Sequence, residues 1–129
     1  MLCNGRVVIG VLAFSLCASQ TVLADNTVTV LQFGALNVSS TVQSGNTSNS
    51  AETLQFGGVN QATATQFGSI VPSTINNSII GQLGTSSTAT VLQTGGPNTS
   101  FVGQIGAANA AMISQLGILN GSNVIQAGP

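Results

Sequence analysis

Nine copies of Gln-x-Gly run through the chain, and their glutamines stand at Gln32, Gln43, Gln55, Gln66, Gln82, Gln93, Gln104, Gln115 and Gln126. The successive intervals are 11, 12, 11, 16, 11, 11, 11 and 11 residues. A period this regular means one structural unit stacked on copies of itself, so it outranks any local element prediction. Extended backwards, each copy reads Asn-x-[Ala/Ser]-x-[apolar or Thr]-x-Gln-x-Gly. The asparagine slot, six residues before each glutamine, holds Asn26, Asn37, Asn49, Asn60, Asn76, Ser87, Asn98, Asn109 and Asn120. The units are therefore 26–34, 37–45, 49–57, 60–68, 76–84, 87–95, 98–106, 109–117 and 120–128.

Within a unit the pattern has a period of two. Positions −6, −4, −2 and 0 relative to the glutamine are small or β-branched between two terminal amides, as in Asn98, Ser100, Val102 and Gln104. Side chains of a strand alternate between faces, so these four share one face, which is expected to lie inside. The opposite face is mixed. Each unit ends in a glycine, at Gly34, Gly45, Gly57, Gly68, Gly84, Gly95, Gly106, Gly117 and Gly128, which is expected to take the backbone geometry of a bend that side-chain-bearing residues resist. Strand, bend, strand predicts an all-β fold: a flattened two-sheet parallel β-solenoid of nine strand-turn units, about 4.5 rungs. At a rung spacing of ~4.8 Å each Asn lies over an Asn and each Gln over a Gln two units on, where their amides satisfy one another. Of the ten glutamines after residue 24, nine occupy the Gln-x-Gly slot, a register that disordered low-complexity sequence has no reason to keep.

Residues 1–24 are set apart from this pattern. Arg6, an apolar run from Val7 to Cys17 and the small-residue end Val22-Leu23-Ala24 read as a signal peptide cleaved after Ala24, leaving a repeat domain at 25–129. The run is shorter than the ~20 apolar residues a membrane-spanning helix needs. Both cysteines and the single basic residue lie in this leader, so the remaining chain carries only Asp25 and Glu52 as charged side chains, a formal charge of −2. Nucleic acid is excluded as a partner, because phosphate binding requires cations that this chain lacks. Without His, Lys or Cys after residue 24 there is no base to activate the many hydroxyls, so no enzyme is expected. No metal loop, phosphate loop or nicotinamide fingerprint occurs, hence no cofactor and no small-molecule substrate.

Units such as Gln55-Phe-Gly-Gly-Val-Asn60-Gln-Ala62-Thr-Ala-Thr-Gln66 and Gln104-Ile-Gly-Ala-Ala-Asn109-Ala-Ala111-Met-Ile-Ser-Gln115 resemble the repeat of curlins, the subunits of bacterial curli fibres. The resemblance covers Asn26 to Gly128. It implies a secreted subunit that polymerises on the cell surface as an amyloid of the biofilm matrix, with the Asn and Gln slots forming internal ladders. The partners it implies are further copies of the chain, a nucleator subunit and an outer-membrane secretion channel. The departures are Ser87 in an asparagine slot, Asn49 one place late after Gly45, and five extra residues in Ser69 to Ile75, which are expected to form an edge loop containing Pro72. The last repeats carry no basic residues, unlike the nucleator, so a major fibre subunit is expected. Assembly has independent support: Asn120 to Gly128 is an ordinary unit, no capping repeat is visible, and no proline lies within a strand segment. The competing reading is a monomeric ice-binding or surface-adhesin solenoid. Ice binding needs a continuous outward threonine ladder, and Thr-x-Thr occurs only in the first, fourth and sixth units.

Overall fold

The computed structural model describes residues 6–12, 15–22, 26–44, 48–68 and 75–129. Among them there is no helix. Eleven strands follow in order: β1 Arg6–Leu12, β2 Ser15–Val22, β3 Thr27–Gly34, β4 Asn37–Ser44, β5 Asn49–Gly57, β6 Asn60–Gly68, β7 Asn76–Thr85, β8 Ser87–Gly95, β9 Asn98–Ala107, β10 Ala110–Gly117 and β11 Asn120–Ala127. Odd-numbered strands make one sheet, in the order β1-β3-β5-β7-β9-β11, and even-numbered strands make the other, β10-β8-β6-β4-β2. Every pairing is parallel. This is a two-sheet β-solenoid in which the nine repeat units, β3 to β11, wind about four turns. We call the sheets odd and even.

β1 and β2, in the segment assigned to the leader, continue the two sheets. β1 pairs with β3 from Arg6 opposite Thr27 to Leu12 opposite Phe33. β2 pairs with β4 through a register break between Cys17 and Gln20, as expected of residues that lack the repeat.

The register explains how unequal intervals leave the side-chain columns intact. Gln32 pairs with Gln55 and Gln43 with Gln66, both 23 residues apart. Gln55 pairs with Gln82 and Gln66 with Gln93, both 27 apart, because the long turn lies inside both intervals. The later pairings are 22 apart. Extra residues between units lengthen a turn and shift no column, since register is set by the strand pattern. Of the long turn, residues 69–74 lie outside the described residues, as does Gly45.

Burial alternates residue by residue. From β3 to β9 every residue at −6, −4, −2 and 0 is buried and none at the positions between is. The apolar core is narrow and made of small side chains: Val28, Val30, Ala51, Ala62, Ala64, Ile80, Ala89, Val91 and Val102, with Ile113 above them. Small residues suit the space because the long amides fill both edges of the interior.

Candidate functional site: an amide-lined stacking axis

The two edges of the interior carry different hydrogen-bond systems. At the glutamine edge of the odd sheet, Gln32 Nε2 donates to Gln55 Oε1, Gln55 to Gln82, Gln82 to Gln104 and Gln104 to Gln126, the last three at 2.8 Å. In the even sheet Gln43 donates to Gln66 at 2.7 Å, Gln66 to Gln93 and Gln93 to Gln115 at 2.8 Å. All donations point towards the C-terminal end, so each column is a polar chain of amides.

The second N–H of each amide crosses the interior. Gln43 donates to the carbonyl of Thr27, Gln55 to Val38, Gln66 to Ser50 and Gln82 to Gln61, at 2.9–3.2 Å. Gln93, Gln104, Gln115 and Gln126 do the same to Asn77, Thr88, Thr99 and Ala110. Each acceptor lies five residues before the previous unit's glutamine, in the opposite sheet. One amide therefore links its own sheet along the stack and ties the two sheets together. A primary amide supplies two donors and an acceptor, which no hydroxyl or alkyl side chain matches.

The asparagines work differently, and sequence reasoning missed half of their task. Asn37 Nδ2 donates to the carbonyl of Phe33 at 2.9 Å, Asn60 to Phe56, Asn98 to Thr94, Asn109 to Ile105 and Asn120 to Leu116. Each thus clamps the turn four residues behind it. Towards the neighbouring rung, Asn60 Nδ2 reaches Asn37 Oδ1, Asn76 reaches Asn49 and Asn120 reaches Asn98, at 3.0–3.2 Å. These donations run towards the N-terminal end, opposite to those of glutamine. The Oδ1 atoms of Asn26, Asn60, Asn76 and Asn98 accept backbone N–H groups of the next rung, from Asn49, Ser87, Asn98 and Asn120.

Two irregular units carry the expected defects. Ser87 leaves its hydroxyl without a partner, and Asn109 donates only to its own turn. Asn49 Nδ2, after the displaced turn, is also buried without a partner. Asn109, Asn120 and Gln126, at the C-terminal end of the stack, are only half-buried, whereas the amides of β3 to β9 are buried.

The turns stack as tightly as the strands. Gly34, Gly57, Gly84, Gly95, Gly106 and Gly117 have φ between +105° and +141°, a region that side chains rarely adopt. A Cβ on Gly34, Gly57 or Gly84 would stand 1.9 Å from the carbonyl oxygen of the glycine one rung on. That same oxygen accepts the backbone N–H of the following turn residue, as in Gly58 N–H to Gly84 at 3.0 Å. Gly128 does not share the left-handed geometry. Four turns use a second positive φ on a non-glycine residue, Leu36, Ser86, Ala108 and Leu119, each directly before the asparagine slot. At Leu36, Ala108 and Leu119 the adjacent clamp offers a reason why that strain persists, whereas Ser86 precedes Ser87, which makes no clamp.

Outside, the sheets differ, which a unit-by-unit reading concealed because successive units alternate between them. The odd sheet presents Leu31, Phe33, Leu54, Phe56 and Leu83, with the rings of Phe33 and Phe56 stacked at 5.1 Å and 14°. The even sheet presents more hydroxyls. The Thr-x-Thr pairs of the fourth and sixth units are direct neighbours, in β6 and β8, yet they form no continuous ladder. They are offset by two positions, so only Thr63 meets Thr90, and that column begins at Ser40 and ends at Met112.

The model of the curlin associated repeat matches residues 84–117, which span β8, β9, β10 and their turns. This segment is similar to the curlin associated repeat, which supports a curlin-family assignment. Its other units carry the same slots in the same register on either side of the matched segment. No curated protein and no solved structure matches the chain. The curlin repeat and the solenoid are structural in kind rather than enzymatic. Among the described residues there is no cluster of three His, Cys, Asp or Glu, and no helix long and apolar enough to cross a membrane.

Proposed function

We propose that this chain is a secreted structural subunit that adds to copies of itself, head to tail, as an extracellular curli-like amyloid fibre for adhesion and biofilm matrix. The observation that carries this reading is the polarity of the glutamine columns. Among the described residues, Gln126 and Gln115 each donate one N–H to a backbone carbonyl and none to another glutamine, while Gln43 Oε1, at the other end, is buried without a partner. One end offers amide donors and the other an acceptor. A second copy stacked in the same direction and rotated by half a turn, because nine units leave half a rung, continues every column, whereas an inverted copy sets donor against donor.

In this reading removal of residues 1–24 after Ala24 strips β1 and β2, freeing the edges of β3 and β4 for another copy's final strands. A nucleator subunit and an outer-membrane channel are the partners proposed from the family. The test is direct: residues 25–129, purified from denaturant and held in buffer for a day, should form unbranched fibres that bind an amyloid dye. A chain that stays monomeric for days without binding dye overturns the reading.

A further inference from the structure

The outer face of the odd sheet carries a ridge and a trough of equal length. In the column just before the glutamines, β3 and β5 contribute Leu31 and Leu54, whereas β7 and β9 contribute Gly81 and Gly103. Beside the leucines, Phe33 and Phe56 extend the ridge by their stacked rings. Above the glycines lies an open cavity of about 550 Å³, walled by Leu54, Phe101, Leu83, Ile105 and Ile125. Its floor is bare backbone. Both glycines lie outside the left-handed region, so no backbone geometry demands them. A Cβ on Gly81 would meet nothing nearer than the Val102 carbonyl oxygen at 3.9 Å, and one on Gly103 would meet only the Phe101 ring, at 3.1 Å. The glycines are thus unnecessary to the stack, and what they provide is the depression.

We infer that this face pairs with the same face of a second, antiparallel filament, ridge into trough. The inference rests on the fibre proposed above. A two-fold axis along the strand direction, between β5 and β7, exchanges β3 with β9 and β5 with β7. It sets Leu31 over Gly103 and Leu54 over Gly81 in both copies at once. The contact is isologous, as a closed pairing requires. Phe33 then faces Ile105 and Phe56 faces Leu83. All of these partners are apolar, and the Glu52 carboxylate, two residues before Leu54 and opposite Ile79 in the pair, lies at the rim of the contact.

The size of the patch says when pairing occurs. Four rungs at ~4.8 Å by four residues at ~3.3 Å give roughly 250 Å² per copy, or ~500 Å² in total, about a third of a standard stable interface. Two free subunits do not hold together by it. The half-turn between successive subunits brings this face to a given side of the fibre in every second subunit, so one contact in register along two fibres brings the others on that side into register, and pairing follows fibre growth and strengthens with length.

Mass per unit length, measured by dark-field scanning transmission microscopy on fibres of residues 25–129, reads this out. The wild-type chain should give at least twice the value of a single filament. Gly81→Leu, which fills the trough, should grow fibres at the wild-type rate with the mass per length halved. Leu54→Ala, which lowers the ridge without adding bulk, should also halve it. The exchange Leu54→Gly with Gly81→Leu swaps ridge and trough at one contact and should restore the doubled value. Wild-type fibres that are single filaments, or variant fibres that stay doubled, overturn the pairing and leave the fibre proposal standing. If the wild-type chain makes no fibres, both fall.

Discussion

Replacing Gln82 by leucine strikes the amide column where it is most enclosed. Gln82 is 1% exposed, accepts from Gln55 and donates to Gln104 and to the Gln61 carbonyl. Leucine is of similar size and leaves no large cavity, but it orphans three groups: an N–H of Gln55, Oε1 of Gln104 and the carbonyl of Gln61. Each buried unsatisfied group costs ~1–3 kcal/mol, and the added apolar burial offsets ~1.5–3 kcal/mol, so the net loss is centred on ~4 kcal/mol. Gln126→Leu makes the contrast. Gln126 is half-buried and its contact to Ala110 is exposed, so water takes over the freed groups and the loss is below ~1 kcal/mol. Equilibrium denaturation in guanidinium chloride separates the two variants. A slope of ~2–6 kcal/mol/M makes the Gln82 loss a midpoint shift on the order of 1 M. Equal midpoints for the two variants, or a Gln82→Leu midpoint at the wild-type value, would refute the reasoning.

Gly84→Ala forces a left-handed φ of +141° on alanine and drives its Cβ to within 1.9 Å of the Gly106 carbonyl, so it should cost ~3 kcal/mol or more and delay fibre appearance several-fold in a dye-binding time course. Ser87→Asn restores the missing amide between Asn60 and Asn109 and should stabilise by ~1 kcal/mol, seen as a higher denaturation midpoint. Ser78 buries a hydroxyl without a partner, in a column with Ala51 and Ser100, so Ser78→Ala should also stabilise, by ~1 kcal/mol. Asn60→Ala frees the Phe56 carbonyl and removes the acceptor of the Ser87 N–H, and should cost ~2–4 kcal/mol in the same assay.

The all-β class, the parallel two-sheet solenoid and the inward set of residues could be read from the chain because a single repeat fixes all three. Inward positions such as Ala62, Ala64 and Gln66 keep a period of two, and glycine closes each unit. The register survived the irregular intervals for a reason visible in Gln55 and Gln82: side-chain columns follow strand pattern, and turns absorb the rest. The glutamine edge could be anticipated, since identical amides one rung apart have only each other to satisfy them. The asparagine clamp could not, because a bond from Asn60 to the Phe56 carbonyl depends on the conformation of the turn between them. Positive φ at Leu36 and Leu119 was hidden for the same reason, as neither residue favours that geometry. The odd sheet's ridge and trough escaped because Leu54 and Gly81 are 27 residues apart and meet only when alternate units are sorted onto separate sheets.

Diffraction from aligned fibres of residues 25–129 is the most direct test of rung-on-rung growth. Strands perpendicular to the fibre axis should give a sharp meridional reflection at ~4.8 Å and an equatorial one near ~10 Å. A meridional reflection at the ~5.4 Å pitch of α-helices, or aligned fibres with no meridional order near ~4.8 Å, would contradict it.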